Sequence, residues 1–340
     1  MTNSAQVHTS DAAASGIGWG ILGAGWIAAS FAADLAANGF RLAAVGSRSQ
    51  DSADAFAAEH SIPHAYGNYD ALINDDTVDV IYVATPHPFH AKQAIAALNA
   101  GKHVLVEKAF TMTAAEAREV VELAEARGLV VLEAMWTRWL PHMVRLREVL
   151  AEGLIGDLRT VHATHNQKLP TDPAHRINNP DLGGGALLDL GIYPISFAWD
   201  VLGAPTSIQA LSSPTVTGVD RQTTVLFGYG DGQQAVLQFA LDTAGPNEAV
   251  LLGTEGWIEI EPGWMGPSSF LVYNAAGEVI EGFDAEVANR GMQYQAWELE
   301  RLVRAGVLAG DVLPPAESVA IMESLDEVRR QIGLRYPGEQ

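Results

Sequence analysis

Short apolar runs broken by glycine, alternating with stretches at helical spacing, organise the first third of the chain. Residues 16–22 are an apolar run bounded by glycines, the pattern of a buried parallel strand, and residues 26–38 then repeat Ala28, Phe31 and Leu35 along one helical face. The alternation continues through a strand at 41–46, a helix at 51–60, a short segment at 69–74 and a strand at 78–84. A helix at 90–100 stops at Gly101, a strand covers 103–107, and a helix at 113–127 stops at Gly128 before a last strand at 129–134. Strands and helices in turn predict an α/β domain with a doubly wound parallel sheet over 17–135. Residues 1–16, rich in Ala, Ser and Thr, read as a disordered tail.

The pattern changes after Glu133 to Trp136. A helix at 139–152 leads to strand-like segments at 157–166, 206–215, 221–229, 233–241, 248–253, 256–260 and 269–273, with helical stretches at about 185–202, 292–308 and 315–332. Short turns such as Gly230-Asp231-Gly232 join successive strands, so 136–340 is expected to be an α+β domain with a large, open, mostly antiparallel sheet. Such a sheet can wall a substrate pocket.

Composition narrows the setting. The 340 residues exceed one usual core, 48% of them are hydrophobic, and no uninterrupted apolar run is long enough to span a bilayer. The start of the chain lacks the basic and apolar regions of a secretory signal, so a cytoplasmic protein with no membrane partner is expected. The absence of cysteine removes disulfides, thiolate catalysis and Cys-ligated zinc. A formal charge of −21 argues against a nucleic-acid partner.

The first predicted turn carries the clearest chemistry. Gly23-Ala24-Gly25-Trp26-Ile27-Ala28 sits between a strand and a helix, the context of a Rossmann dinucleotide fingerprint. Gly23 permits the turn, Gly25 lets backbone approach a pyrophosphate, Ala28 allows close helix–strand packing, and the phosphates rest on the helix start at Trp26 and Ile27. The second strand ends not in an acidic residue but in Ser47, Arg48 and Ser49. A guanidinium among hydroxyls suits a 2′-phosphate, which favours NADP over NAD. The loop Thr85-Pro86-His87-Pro88-Phe89-His90 is stiffened by its prolines at the carboxyl end of a strand, the edge where such sheets bind ligands, and Glu107-Lys108 ends the neighbouring strand. Further on, Gly183-Gly184-Gly185 precedes Asp189 and Tyr193, four residues apart and on one face if helical, with Pro194 expected to kink the chain there. Spacing alone leaves open that Tyr193 merely packs and that Asp189 merely caps. His162, His165 and His175 show no metal-ligand spacing, and no metal is expected.

In this order and spacing, these motifs resemble the glucose-fructose oxidoreductase, inositol dehydrogenase and rhizopine catabolism (Gfo/Idh/MocA) family over nearly the whole chain. Glu133-Ala134-Met135-Trp136-Thr137-Arg138 and the stretch from Gly183 to Tyr193 look most like its dimeric dihydrodiol dehydrogenase and NADP-dependent D-xylose dehydrogenase branch. The resemblance implies NADP-linked oxidation of a hydroxyl on a sugar or vicinal diol, or the reverse reduction, by homodimers formed through the open face of the second sheet. Two positions depart from the family pattern: Ala109 replaces the proline of Glu-Lys-Pro, and Tyr193 stands where the wider family often has histidine.

On this basis Tyr193 is expected to move the proton. An ordinary phenol, with a pKa of about 10, is a poor base at neutral pH, but a lysine ammonium beside it favours phenolate. Lys108 would supply that charge and stabilise the developing alkoxide, with Asp189 orienting one or the other. Assigning the proton to Lys108 itself is an equally open reading. Trp136 and Arg138 are candidate substrate contacts, each also a candidate packing residue, and Arg176 is a candidate contact to substrate or cofactor. Two rival functions share the motifs: a non-catalytic NADP-binding sensor, and a redox-neutral glycosidase that uses nicotinamide transiently.

Overall fold

The computed structural model describes residues 16–339; the expected tail therefore lies outside the described residues except for Gly16. The chain forms two compact units, one holding the described residues up to Trp136 together with Ala288–Val319, the other Thr137–Val287 with residues 320–339.

The first unit is a six-stranded parallel sheet. Strands β1 (Gly18–Leu22), β2 (Arg41–Gly46), β3 (His64–Tyr66), β4 (Val80–Val83), β5 (His103–Glu107) and β6 (Val131–Ala134) lie in the order β3-β2-β1-β4-β5-β6. Helices α1 (Trp26–Ala37), α2 (Gln50–His60), α3 (Tyr69–Ile73), α4 (His90–Asn99) and α5 (Ala114–Arg127) make the connections. The order reverses between β1 and β4, which makes that crevice the topological switch point where ligands bind in doubly wound sheets. Side chains start three of these helices: Ser49, Asn68 and Thr113 accept from the backbone N–H three residues on, at 3.3, 2.8 and 3.2 Å.

The return segment departs from the expected division of the chain. Helix α8 (Gln293–Ala305) belongs to this unit because its side chains meet β1 and the turn between α1 and β2: Trp19 Nε1 donates to Glu300 at 2.9 Å, and Phe40 stacks on Trp297 with centroids 6.0 Å apart. Buried Asp34 on α1 accepts from the backbone N–H of Met292 at 2.8 Å, and burial raises its carboxyl pKa.

The second unit begins with α6 (Pro141–Ala151) and β7 (Leu158–Asn166), followed by α7 (Ile192–Leu202) and β8 (Ser207–Pro214), β9 (Asp220–Gly228), β10 (Gln234–Ala240), β11 (Ala249–Gly253), β12 (Gly256–Ile260), β13 (Phe270–Asn274) and β14 (Val279–Phe283). Its sheet runs β14-β13-β12-β11-β7-β10-β9-β8 and is antiparallel except between β7 and β10. Strand β14 has no counterpart in the sequence reading, because Val279 and Ile280 are exposed on an edge and carry no inward apolar alternation. Helix α9 (Pro315–Ile332) closes the chain.

The stretch expected as one helix over 185–202 is two conformations. Leu187–Gly191 is a π-helical turn, with the Ile192 N–H donating to the Leu187 carbonyl five residues back, and α7 follows. Pro194 is only the third residue of α7, where it is tolerated, so the irregularity precedes it. Residues 180–202 are long and apolar enough to cross a membrane, but 78% of the most apolar stretch is buried within the protein.

Candidate active site

In the first unit the carboxyl ends of the strands gather the residues expected to hold a dinucleotide. Gly23 follows β1 with φ +114, and its N–H donates to the Gly46 carbonyl at 2.9 Å. A Cβ there would come within 2.8 Å of the Ala84 carbonyl oxygen, so a side chain is excluded twice over. Gly25 differs: a Cβ would meet no atom within 4 Å. Packing does not require glycine at 25, whereas close approach of a ligand to the backbone does. Helix α1 also begins with no side-chain cap, unlike α2, α3 and α5, which leaves its first N–H groups directed at whatever lies before it. Buried Ala28 packs beneath, while Ile27 is half-buried and Trp26 is 61% exposed. These features fit a pyrophosphate.

After β2, the Ser47 N–H donates to the Tyr66 carbonyl at 2.9 Å. The Ser49 hydroxyl caps α2 and also bonds Ser52 Oγ at 2.8 Å, so of the two serines Ser49 is engaged in starting a helix. Arg48 is exposed, has no ion-pair partner among the described residues, and lies close enough to Tyr69 to oppose the rise that burial gives that phenol's pKa. A free guanidinium at the end of β2 fits a 2′-phosphate.

The backbone around Lys108 is pinned from four sides. Its carbonyl accepts from His87 Nε2 at 3.2 Å and its N–H donates to Glu107 at 3.3 Å. His90 Nδ1 lies 3.0 Å from the Ala109 carbonyl, and the Phe110 N–H donates to Glu133 at 3.2 Å. The peptide bond between Lys108 and Ala109 is cis. Tyr82, fully buried, donates its hydroxyl to Glu107 and so fixes the carboxylate that meets Lys108. His90 Nε2 lies 2.7 Å from the Thr85 carbonyl, so both ring nitrogens face carbonyl oxygens, and a neutral imidazole donates to only one of them at a time. Burial nevertheless holds its pKa below the ordinary value. His90, expected to contact cofactor, is here a strut between the Thr85–Pro86 loop and the lysine segment. The Thr85 hydroxyl donates to Gln93 at 2.5 Å and Pro86 is exposed. His87 and Glu133 were not singled out from sequence, although His87 shares the proline-bracketed loop with His90, three residues away.

Trp136 ends this unit, 4% exposed, and the Arg290 guanidinium lies between its ring and that of Trp26, 5.2 and 5.5 Å from the two centroids.

In the second unit Tyr193 is the second residue of α7 and 8% exposed. Its ring meets that of His165 edge-on, centroids 5.0 Å apart at 79°. Asp189 lies on the π turn and accepts from both terminal nitrogens of Arg176, at 3.4 and 3.3 Å. The structure thus joins Asp189 to Arg176, two residues that sequence reasoning had placed in separate roles. Arg138 has packing partners within the second unit. Its side chain is buried, donating from Nε to Ser196 Oγ and from a terminal nitrogen to Asp200, both at 3.0 Å. A buried guanidinium requires such partners, and these lie on α7, so Arg138 braces the helix that carries Tyr193.

Long-range ties also hold the glycine run. Gly185 has φ +123, and a Cβ there would collide with Asp220. The Asp220 carboxylate accepts from the Leu187 N–H at 2.8 Å and from the Thr223 hydroxyl at 3.2 Å. Burial pushes its pKa up to about 7 despite those hydrogen bonds. Tyr336, near the carboxyl end of the chain, donates to the Gly184 carbonyl at 2.8 Å. Among the described residues, no three His, Asp or Glu side chains form a group suited to a metal ion.

Residues 17–135 match the oxidoreductase family with an NAD-binding Rossmann fold, GFO/IDH/MocA, and residues 143–259 match the GFO/IDH/MocA C-terminal domain. The trans-1,2-dihydrobenzene-1,2-diol dehydrogenase of Mus musculus is 37% identical over 331 residues, 95% of this chain and 98% of that protein. The D-xylose 1-dehydrogenase (NADP(+)) of Hypocrea jecorina is 35% identical over 363 residues, 94% of this chain and 93% of that one. Among solved structures, a 3-ketoreductase from Actinomadura kijaniata in complex with NADP and TDP-benzene superimposes with a TM-score of 0.82 at 27% identity, covering 93% of this chain and 98% of that one.

Proposed function

The chain belongs to the Gfo/Idh/MocA oxidoreductase family, and from that premise we propose an NADP-dependent enzyme that moves hydride between nicotinamide and a secondary alcohol or carbonyl of a sugar, vicinal diol or related polyol. The observation that carries the reading is the combination, on one edge of one sheet, of an uncapped helix start after Gly23–Gly25 and a lysine whose backbone is pinned from four sides. Bound NADP(H) supplies the hydride acceptor or donor. Gly23, Gly25, Trp26 and Ile27 hold its pyrophosphate, Ser47 and Arg48 its 2′-phosphate, and Thr85, Pro86 and Glu107 the edge beside them.

In this reading the phenol oxygen of Tyr193 takes the proton from the substrate hydroxyl during oxidation and returns it during reduction. Lys108 Nζ stabilises the negative charge that develops on the same oxygen. Asp189 acts through Arg176: its carboxylate aims a half-exposed guanidinium that hydrogen-bonds neighbouring hydroxyls. Trp136 offers a ring face to the substrate.

The reading extends to a cytoplasmic homodimer. The outward positions of the second sheet carry Leu226, Val236, Val250, Leu252, Trp257 and Leu271, an apolar surface that supports pairing through that face. Light scattering on the purified protein checks it, with Trp257→Glu expected to yield monomer.

The activity is tested by titrating the protein with NADPH and NADH and then supplying NADP+ with pentoses, hexoses and vicinal diols, following reduced-nicotinamide absorbance. Preferential NADPH binding with turnover is expected. Tight NADH binding with weak NADPH binding overturns the cofactor assignment, and binding without turnover on the whole panel overturns the catalytic one.

A further inference from the structure

His165 lies one residue before the end of β7 and is 2% exposed. Its Nδ1 is 3.2 Å from the Leu190 carbonyl oxygen and its Nε2 is 2.9 Å from Gln167 Nε2. A carbonyl oxygen only accepts, and an amide nitrogen only donates. Together these partners select the neutral imidazole with its proton on Nδ1. Leu190 is also the residue whose carbonyl would pair, in an unbroken α-helix, with the N–H four residues on. That residue is Pro194, which has none.

The same region leaves little slack. Leu187–Gly191 is the π turn that feeds α7, and a Cβ on Gly191 would press into the Phe239 ring at 2.6–2.8 Å. Gly191 therefore packs directly against that ring. Two residues further on is Tyr193, whose ring meets that of His165 in a T-shaped contact. One imidazole thus touches both the turn that aims α7 and the aromatic ring which that turn presents.

We propose that His165 is a positioning residue for Tyr193: its Nδ1–H holds the Leu190 carbonyl, which maintains the π turn, and its ring fixes the plane of the phenol. The proposal rests on the reading that Tyr193 handles the substrate proton. His165 itself exchanges no proton with substrate. Its contribution is geometric, and a displacement of about 1 Å at a reacting group costs on the order of a hundredfold in rate.

Three substitutions separate the two contacts. His165→Phe keeps a ring and removes the donor; His165→Asn keeps a planar N–H donor and removes the ring; His165→Leu removes both. With D-xylose and a trans-dihydrodiol as substrates, kcat is expected to fall roughly tenfold in the first two and roughly a hundredfold in His165→Leu, following that positional cost. The NADPH Kd should stay near that of the unsubstituted protein, and the unfolding temperature should fall by no more than the loss of one buried hydrogen-bonding group accounts for. In a Tyr193→Phe background, His165→Leu should cause no further loss, because the residue through which it acts is already disabled. Nitrogen-15 NMR of labelled histidine should show the His165 proton on Nδ1 at neutral pH.

A His165→Leu variant with full kcat, a loss of undiminished size in the Tyr193→Phe background, or a proton on Nε2 each overturns the positioning role. Failure of the parent reading looks different. Full activity in Tyr193→Phe alone, or no turnover of either substrate by the unsubstituted protein, removes the function from Tyr193 and the positioning role with it.

Discussion

The first unit builds its candidate cofactor site from backbone, and the second holds the Tyr193 helix by side chains far apart in sequence. Around the glycine turn the essential features are a positive φ, an uncapped helix start and carbonyls at strand ends, and the struts His87, His90, Glu107 and Glu133 all grip main-chain atoms. Around Tyr193 the helix is held by Arg138 to Ser196 and Asp200, by Asp220 to Leu187, by Tyr336 to Gly184 and by His165 to Leu190. A dinucleotide presents the same pyrophosphate to every such enzyme, and backbone N–H groups recognise it whatever the side chains. A substrate site must differ between enzymes, and side-chain ties can be exchanged without disturbing a sheet.

The largest expected effect tests whether the pinned backbone can do without its side chain. Lys108→Ala should lower kcat by roughly 10²–10⁴-fold, the range for loss of a positioned acid, base or charge, while the unfolding temperature barely moves because every strut holds main chain. Tyr193→Phe should lose activity on the same scale and leave NADPH binding within a few-fold of the unsubstituted protein. An Lys108→Ala protein that unfolds many degrees earlier would show that the side chain, not the backbone, organises this edge.

Next in size is Asp220, the tie on which the contrast depends most. Asp220→Ala strands the Leu187 N–H without its acceptor, which costs on the order of 1–3 kcal/mol in thermal or urea unfolding. Its pH signature has a definite sign. The folded-state pKa of about 7 stands above the ordinary 3.8, so the native protein binds more protons than the unfolded chain between those values. Stability is therefore fully present below pH about 4 and lost as pH rises towards 7, at most by about 1.4 kcal/mol per pH unit. Asp220→Asn should flatten that slope. A slope unchanged in the Asn variant would place its origin in another group.

The same contrast sets how much could be read from the chain. The βα alternation, the fingerprint at 23–28 and the lysine at the end of β5 are local in sequence, and local patterns are what periodicity and turn chemistry report. The return of 288–319 to the first unit was not legible, since it depends on Trp19 meeting Glu300 and Phe40 meeting Trp297 across more than two hundred and fifty residues. Spacing could not decide between a pocket and a packing role for Arg138, because its partners Ser196 and Asp200 belong to a helix whose placement no spacing rule gives. From sequence His165 shows only that it lacks metal-ligand spacing. The missing signal was Pro194, which removes the N–H that an unbroken helix would give the Leu190 carbonyl.

Smaller effects come from two glycines of one turn. Gly25→Val should fold normally, because its Cβ enters open space, yet raise the NADPH Kd roughly tenfold by blocking close approach. Gly23→Ala should do the reverse, lowering the unfolding temperature through φ +114 and the Ala84 carbonyl before any measured Kd reports on the ligand. Opposite outcomes at two positions separated by one residue would sharpen the case that this unit recognises its ligand with backbone.

Arg48 is the exception inside that unit, a side chain whose role is specificity. It is exposed and lacks an ion-pair partner among the described residues, so no structural penalty should follow its removal. A charge-assisted bond to phosphate is worth about 1.5–3 kcal/mol when sheltered, and solvent at this position argues for the lower end, roughly tenfold in affinity. Arg48→Ala should therefore weaken NADPH by roughly tenfold, leave NADH unchanged and lose most of its effect in high salt, as screening of an exposed charge requires. Equal weakening of both nucleotides would mean that Arg48 shapes the α2 start or the adenosine site as a whole. Discrimination between NADP and NAD would then rest on Ser47 and backbone, and the contrast between the two units would be stronger still.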